Sequence, residues 1–377
     1  MELIEKYFRD KVENVNFLEF KDALNIEAKN MTIKKDLPLP IILDDFIEGI
    51  KEGEVDEEID LTYIIDGIIY IIGVDKEFPY IDEYKDILLN YDEDIVEYLL
   101  YESTKDIEKE NYDNSAIKLR TLLTLDHNNI KGLFNYAVSI EGIAKKYMLM
   151  ENEEKGQKFL KYSTKKLENI LDIDKDFAPA YYKLGYHYKY MKQYLKANLV
   201  WQKFLPLGED ELLVQEVREE INIIEDDANL EAGLTYLNYN DYKKALDYLL
   251  KLIPDHEKSW SVNYFIGQAY SGLGQWDFAI EFLSNALEYN EEIDIYNELG
   301  IAYFNIGNIK RAVDIFNKGI KYDEDDYKLY FNRGLAYLQL EQYNEALKDI
   351  DKAYELNPGD DNIRSQKDIL ESLLYNN

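Results

Sequence analysis

The sequence predicts an all-α fold in which helical hairpins stack one after another into a solenoid. The first observation is a period: five glycines are each followed three residues later by a tyrosine and twelve residues later by an alanine. The second is that apolar residues recur at helical spacing on both sides of a Gly/Asn turn within a period. A fixed period of this size is typical of a repeat array, whose repeats bury their apolar faces against one another. The glycines, at intervals of 48, 34, 33 and 34 residues, are Gly185, Gly233, Gly267, Gly300 and Gly334.

Residues 293–326 show how one repeat is built. Gly300 and Tyr303 lie on one face of a first helix, the chain turns at Gly307, and Ala312 lies on a second helix. Small residues at Gly300 and Ala312 let the two helix axes approach closely, because a large side chain there would force them apart. A lone hairpin cannot bury both of its apolar faces, so we expect its neighbours to stack on it.

These residues resemble the tetratricopeptide repeat, a helical hairpin of about 34 residues with the pattern W-x2-L-G-x2-Y, then A-x3-F, then P. Two degenerate repeats precede the five clear ones, with Ser103 and Ala137 in the glycine position. The resemblance implies a right-handed superhelical solenoid of helix-turn-helix repeats, with repeats 1–3 in residues 96–211 and repeats 4–7 in residues 226–360. The seven predicted repeats are 96–129, 130–177, 178–211, 226–259, 260–292, 293–326 and 327–360.

Residues 1–95 lack the period, and we expect an N-terminal α-helical domain of unassigned role there. One segment holds six isoleucines between Ile64 and Ile72, which favours a buried core helix. A β-strand is the alternative, because isoleucine is β-branched. The patterns predict helices near residues 2–10, 15–29, 40–51, 57–73 and 80–90, separated by segments rich in Pro, Gly and charge.

Two intervals of 48 residues are longer than the usual period, one between Ala137 and Gly185 and one between Gly185 and Gly233, and insertions explain both. The earlier interval separates Ala137 from Gly185 and predicts a lengthened first helix in the second repeat. The later one predicts an additional helical segment over residues 212–225. Residues 361–377 predict a capping helix that covers the last apolar face. Its apolar residues are Ile363, Ile369, Leu370, Leu373 and Leu374.

The charge and the cysteine content restrict the function. The formal charge of −33, from 76 acidic and 43 basic side chains, argues against direct binding of nucleic acid, which needs clustered Lys and Arg. It favours a protein or peptide partner, including a basic one. The absence of cysteine excludes disulfides and thiolate metal sites. With no signal segment and no apolar run long enough to span a membrane, we expect a cytoplasmic protein with no membrane partner.

No constellation of catalytic residues is recognisable. The histidines, His127, His187 and His256, lie far apart without metal-ligand spacing, and we interpret them as turn or surface residues. Neither a Walker phosphate loop nor a G-x-S-x-G turn occurs. We therefore predict no catalytic residue, no metal and no cofactor, and we expect that the chain is not an enzyme.

The resemblance implies a concave groove lined by the first helices, and the family pattern assigns its exposed positions repeat by repeat. Aromatic and amide groups at these positions suit the apolar side chains and the backbone of a peptide. The first hypothesis is a non-catalytic scaffold or adaptor that binds a partner in this groove. The alternative is a peptide-responsive regulator that acts on another protein through residues 1–95. The groove residues are Tyr182, Tyr186, Lys189, Tyr190, Tyr264, Gln268, Asn297, Ile301, Asn305, Lys328, Phe331 and Leu335.

One subfamily of these repeats binds acidic C-terminal tails of chaperones through a cationic clamp. Here Lys328 occupies a comparable position, but Glu298 stands where a carboxylate would have to bind. We expect this chain not to bind such tails, because the glutamate would repel them.

Overall fold

The structure is a computed structural model that describes residues 2–19, 24–26, 31–52 and 60–375. Helices dominate these residues, which confirms the predicted all-α repeat fold. By residue contacts the chain divides into two compact bodies. The N-terminal body is Met1–Lys192 with Leu199–Arg218, and the C-terminal body is Gln193–Asn198 with Glu219–Asn377. This division does not test where each repeat begins, so the boundaries at 95/96, 211/212, 225/226 and 360/361 stay predictions.

The N-terminal body begins with a part that is not purely helical. Helix α1 (Glu2–Arg9) and a 3₁₀ turn (Asp10–Asn14) lead into four short strands and then helix α2 (Leu43–Glu52). Strands β1 and β4 pair antiparallel with Val15 opposite Ile42, and β2 and β3 pair antiparallel with Leu24 opposite Ile33. The strands are β1 (Val15–Leu18), β2 (Leu24–Ile26), β3 (Met31–Ile33) and β4 (Leu39–Ile42).

The helix predicted over 15–29 is therefore wrong where the structure describes this segment. The remaining residues of that prediction, 20–23 and 27–29, lie outside the described part of the chain. The helix predicted over 40–51 begins only at Leu43, because the preceding residues form β4. Strand pairing supplies the backbone hydrogen bonds that a helix would otherwise provide.

The isoleucine-rich segment forms helix α3 (Leu61–Val74), and helix α4 (Ile81–Tyr91) follows. The Asp60 carboxylate caps α3 by accepting a 2.9 Å hydrogen bond from the Thr62 backbone N–H. All six isoleucines between Ile64 and Ile72 are buried, with at most 5% of their surface exposed. The buried core helix is confirmed and the strand alternative is wrong.

The rest of the N-terminal body consists of hairpins. Neighbouring helices from α5 to α9 pack against each other in sequence order. Helices α7 and α8 have 20 and 21 residues, so both helices of the second repeat are lengthened where only the first was predicted to be. The helices are α5 (Ile95–Glu108), α6 (Tyr112–Leu125), α7 (Ile130–Leu149), α8 (Glu153–Ile173) and α9 (Ala178–Tyr190).

An ion pair with a fully buried arginine links three helices inside this body. The Arg120 side chain on α6 has no exposed surface and binds both carboxylate oxygens of Glu5 on α1, at 2.6 and 3.1 Å. The same guanidinium donates to the Gly73 backbone carbonyl on α3. One hydrophobic cluster surrounds it and extends from Ile4 to Leu160, so the first 95 residues and the first two repeats share a core.

Two helices contain residues of both bodies: α10 (Tyr194–Phe204) and α11 (Glu211–Asn238). The segment predicted over 212–225 is helical, but it continues without a break into the first helix of the fourth repeat. The result is one helix of 28 residues. No proline interrupts it, which is consistent with its continuity.

The C-terminal body contains the four regular repeats and the terminal helix. Adjacent helices of successive repeats pack in order from α14 to α20. At Gly300 a Cβ atom would lie 2.3 Å from Cε1 of the buried Phe316 ring, so α16 and α17 approach closely at the residue where the sequence predicts it. The helices are α12 (Tyr242–Leu249), α13 (Ile253–His256), α14 (Trp260–Gly272), α15 (Trp276–Tyr289), α16 (Ile293–Asn305), α17 (Ile309–Tyr322), α18 (Tyr327–Gln339), α19 (Tyr343–Leu356) and α20 (Asp361–Tyr375).

Helix α20 lies at the predicted capping position and packs against α19. Ile363 and Leu370 are almost fully buried in the cluster that includes Ile350. Ile369 and Leu373 are half exposed, at 50% and 49%. Two of the predicted capping residues therefore face solvent rather than the last repeat.

Candidate protein-binding surface

The first helices of the last three repeats are neighbours, because α16 contacts both α14 and α18. Eight of the predicted groove residues lie on these three helices. Six are half-buried and two, Asn305 and Lys328, are exposed. We call the eight the first-helix strip; the half-buried members are Tyr264, Gln268, Asn297, Ile301, Phe331 and Leu335.

Hydrogen bonds hold the polar groups of the strip in place. The Gln268 amide donates to the Tyr264 hydroxyl over 2.9 Å. Between helices, the Asn332 amide donates to the Asn297 side-chain carbonyl over 2.7 Å and so connects α18 to α16. These bonds fix donors and acceptors beside apolar side chains, the arrangement that a peptide-binding surface needs.

A carboxylate without a partner lies in the same region. Glu298 on α16 is half-buried and makes no hydrogen bond or ion pair with any described residue. Burial, and then the charge of Asp294, raise the pKa of Glu298, while Lys328 opposes this shift. Burial and these two carboxylates also raise the pKa of Tyr264. The strip is thus electronegative at its centre.

The other four predicted groove residues lie on α9 in the N-terminal body. The hydroxyls of Tyr182 and Tyr186 both donate to the same carboxylate oxygen of Glu216 on α11, over 3.1 Å from Tyr182. The Tyr190 hydroxyl donates to Glu153 over 2.6 Å, and Lys189 is half-buried. The structure therefore joins three predicted tyrosines to carboxylates of the chain itself.

Sequence reasoning missed Glu216, since it is an ordinary glutamate 30 residues after Tyr186 and only the tertiary fold brings them together. Neither half of the predicted groove is tested by a bound ligand, and the assignment of these residues to a peptide stays a prediction.

A buried polar cluster on the second and third repeats is a further addition to the sequence analysis. Glu141 is 6% exposed, with Lys183 at 3.0 Å, Lys145 at 2.6 Å and the His187 imidazole at 3.4 Å. The His187 Nδ1 is 3.0 Å from the Thr164 hydroxyl. His187 is only 3% exposed, so interpreting it as a turn or surface residue is wrong. His187, Lys183 and Lys145 together lower the pKa of Glu141 against the opposing effect of its burial.

Two cavities of similar size lie one repeat apart in the C-terminal body. One of about 590 Å³ has Tyr296 and Tyr303 in its lining, and one of about 600 Å³ has Tyr330 and Tyr337 at the equivalent positions. None of the first-helix strip lines either cavity. These cavities could not be predicted from the sequence, because each is formed by helices from two consecutive repeats.

Within the described residues, no group of three or more His, Asp or Glu side chains is arranged to hold a metal ion. In the same part of the chain, every helix is too short or too polar to cross a lipid bilayer.

Stacked helical hairpins with a partly exposed strip of first-helix side chains are typical of helical repeat proteins that bind other proteins. Comparison with protein families identifies the repeat: models of the tetratricopeptide repeat match residues 293–326 and 327–360, so the chain contains tetratricopeptide repeats. Tetratricopeptide repeats bind protein or peptide partners, and their family is typically non-enzymatic.

Individual relatives are distant. The chain is 27% identical over 117 residues to the BBSome complex member BBS4 of Bos taurus, and this match covers 31% of this chain and 22% of that protein. It is 23% identical over 274 residues to a TPR repeat-containing protein of Methanocaldococcus jannaschii, covering 65% of this chain and 47% of the relative. The chain thus spans less than half the length of these curated relatives.

Among solved structures, the chain is similar to YrrB, described as a TPR protein with an unusual peptide-binding site. The match has 21% identity and a TM-score of 0.40, and covers 54% of this chain and 97% of YrrB.

Proposed function

We propose that this protein is a non-catalytic scaffold that binds a segment of a partner protein on the first-helix strip. The observation that carries the proposal is the strip itself, in which half-buried Tyr264, Ile301 and Phe331 lie beside hydrogen-bonded amides on three adjacent helices. Partly exposed aromatic groups offer a partner large contact area at low entropic cost. The ordered amides supply donors and acceptors for its backbone.

The partner segment is basic. Glu298 is half-buried without a counter-ion among the described residues, and a cation from the partner would offset the cost of its burial. The formal charge of −33 attracts basic partners over a longer range. The same two facts support the expectation that acidic chaperone tails do not bind here.

Paired variants test the strip. We expect Tyr264→Ala/Phe331→Ala to lose the specific partners captured from extract of the source cells, while Tyr239→Ala/Tyr289→Ala retains them. The control tyrosines are exposed aromatic residues outside the strip, at 78% and 43% exposure. Circular dichroism melting shows that each variant is folded. An unchanged set of partners with the strip variant would refute the proposal.

The charge of the partner is tested separately. A peptide from the captured partner is titrated by calorimetry against the wild type and Glu298→Gln. A lost charge-assisted contact weakens binding by about tenfold, equivalent to about 1.4 kcal/mol. If the affinity does not change, the proposal that the partner segment is basic is refuted, but the proposal that it binds on the first-helix strip is not.

A second candidate function is a peptide-responsive regulator. One observation favours it: Tyr182 and Tyr186 are bonded to Glu216 near the start of α11, so a ligand that takes these hydroxyls would release that end of the helix. A decrease or increase in the radius of gyration on binding, measured by small-angle X-ray scattering, would support regulation. A radius that stays constant at saturation would support the scaffold.

We also propose a cytoplasmic location, since the chain has no cysteine and suits a reducing compartment. Fluorescence microscopy of the tagged protein tests this location.

A further inference from the structure

The cavity of about 590 Å³ is formed by three consecutive helices of the fifth and sixth repeats. Helix α16 provides the floor with Tyr296, Leu299 and Tyr303, while α15 and α17 provide the two walls. Its volume is within the range of cavities that bind ligands in proteins. The strip residues Asn297 and Ile301 occupy other positions on α16 and do not line it.

The wall formed by α17 is basic. Arg311, Lys318 and Lys321 all line the cavity, and none has a carboxylate within 4 Å among the described residues. The Arg311 guanidinium lies over the Tyr303 ring at 5.9 Å. Three cations without a carboxylate partner thus lie together on one wall of the cavity.

The opposite wall does not neutralise these cations. Glu288 and Glu291 line the cavity from the side of α15, but neither reaches a lysine or arginine within ion-pair distance. Burial, and then the charge of Glu291 and a hydrogen bond to it, raise the pKa of Tyr296. The three cations outnumber the two carboxylates that line the cavity, and none is within ion-pair distance of either.

We propose that this cavity binds an acidic segment of a partner protein, whose carboxylates pair with Arg311, Lys318 and Lys321. Lys318 and Lys321 are one helical turn apart, and Arg311 precedes Lys318 by seven residues, about 10 Å along the helix axis. Alternate side chains of an extended peptide face the same way, and residues four positions apart are separated by about 13 Å, which lies between the separations of Arg311 from Lys318 and from Lys321. The ligand therefore carries two acidic residues four positions apart, with apolar residues between them that contact Leu299 and the tyrosines.

This site is separate from the first-helix strip in position and in charge. The strip takes a basic segment and the cavity an acidic one, so the same repeats hold two partner segments of opposite sign. Because α16 supplies different residues to each, variants can disable one site without the other.

Fluorescence anisotropy with synthetic peptides tests the proposal. The probe is a short labelled peptide with the pattern Glu-Leu-Ala-Phe-Glu between neutral residues, and its counterpart has glutamine in place of both glutamates. We expect the wild type to bind the acidic peptide about tenfold more tightly than the glutamine peptide, and Lys318→Gln/Lys321→Gln to lose this difference, because the two lost ion pairs account for it.

The control is Lys243→Gln/Lys310→Gln, which removes the same charge from two exposed lysines that do not line the cavity. It should bind the acidic peptide as the wild type does, and so should Tyr264→Ala/Phe331→Ala. Equal binding of the two peptides, or equal losses in the cavity variant and the lysine control, would overturn the proposal. Loss in the strip variant alone would also overturn it, by assigning acidic segments to the strip.

Discussion

Replacing Gly300 by alanine tests the close packing that the repeat pattern depends on. The new Cβ would lie 2.3, 2.6 and 2.7 Å from three carbons of the Phe316 ring. Ordinary contact begins near 3.4 Å, so ring and helix must separate by about 1 Å, and the ring is only 1% exposed. Overpacking of this kind costs about 3 kcal/mol at the upper end of its usual range, while alanine gains about 1 kcal/mol of helix propensity. We expect a net loss of about 2 kcal/mol in the free energy of unfolding.

Gly334 is the matched control, because it occupies the same position one repeat later. Its nearest contact would be Ile350 Cγ1 at 2.9 Å, so a shift of about 0.5 Å suffices, and the overpacking and propensity effects nearly cancel at about 1 kcal/mol each. Urea unfolding followed by tryptophan fluorescence and circular dichroism measures both variants. If Gly300→Ala is as stable as the wild type, or if Gly334→Ala loses as much, the packing argument fails.

Four further variants have expected outcomes. Glu5→Gln leaves the buried Arg120 without its counter-ion, and it should lower the free energy of unfolding by about 3 kcal/mol in urea titrations. The pKa of Glu141 is lowered in the folded state, so its stabilisation is complete above its unfolded pKa and is lost as the pH falls towards the folded pKa. Stability measured against pH should therefore decline less in acid for Glu141→Gln than for the wild type. Leu370→Ala should cost about 2 to 5 kcal/mol because the side chain is buried, whereas Ile369→Ala at 50% exposure should change stability by less than about 0.5 kcal/mol.

The repeat helices were predictable because their determinants are local. Gly300 and Ala312 specify a close crossing within one hairpin, and each repeat presents the same pattern again. The strands were not predictable on the same basis. Val15 pairs with Ile42, 27 positions away along the chain, and Pro40 in β4 reads in the sequence as a break between helices.

The candidate sites also contain some features that the sequence could predict and others that it could not. The family pattern assigned Tyr264 and Phe331 to the groove, and both lie on first helices that the structure places near α16. Their role in binding a peptide stays a prediction. The pattern could not find that Glu216 binds Tyr182 and Tyr186, or that Arg311 and Glu288 line one cavity. These arrangements join residues of different helices, and no single-helix pattern encodes the distance between them.

The way the chain passes between the two compact bodies has a practical consequence. Residues 193–198 belong to the C-terminal body and 199–218 to the N-terminal one, and two of the three crossings, at 198/199 and 218/219, fall inside α10 and α11 rather than in a loop. If the chain is divided at one point within residues 193–218, at least one of the two fragments lacks a segment that belongs to its own compact body. Fragments intended to fold independently must therefore overlap, each retaining residues 193–218.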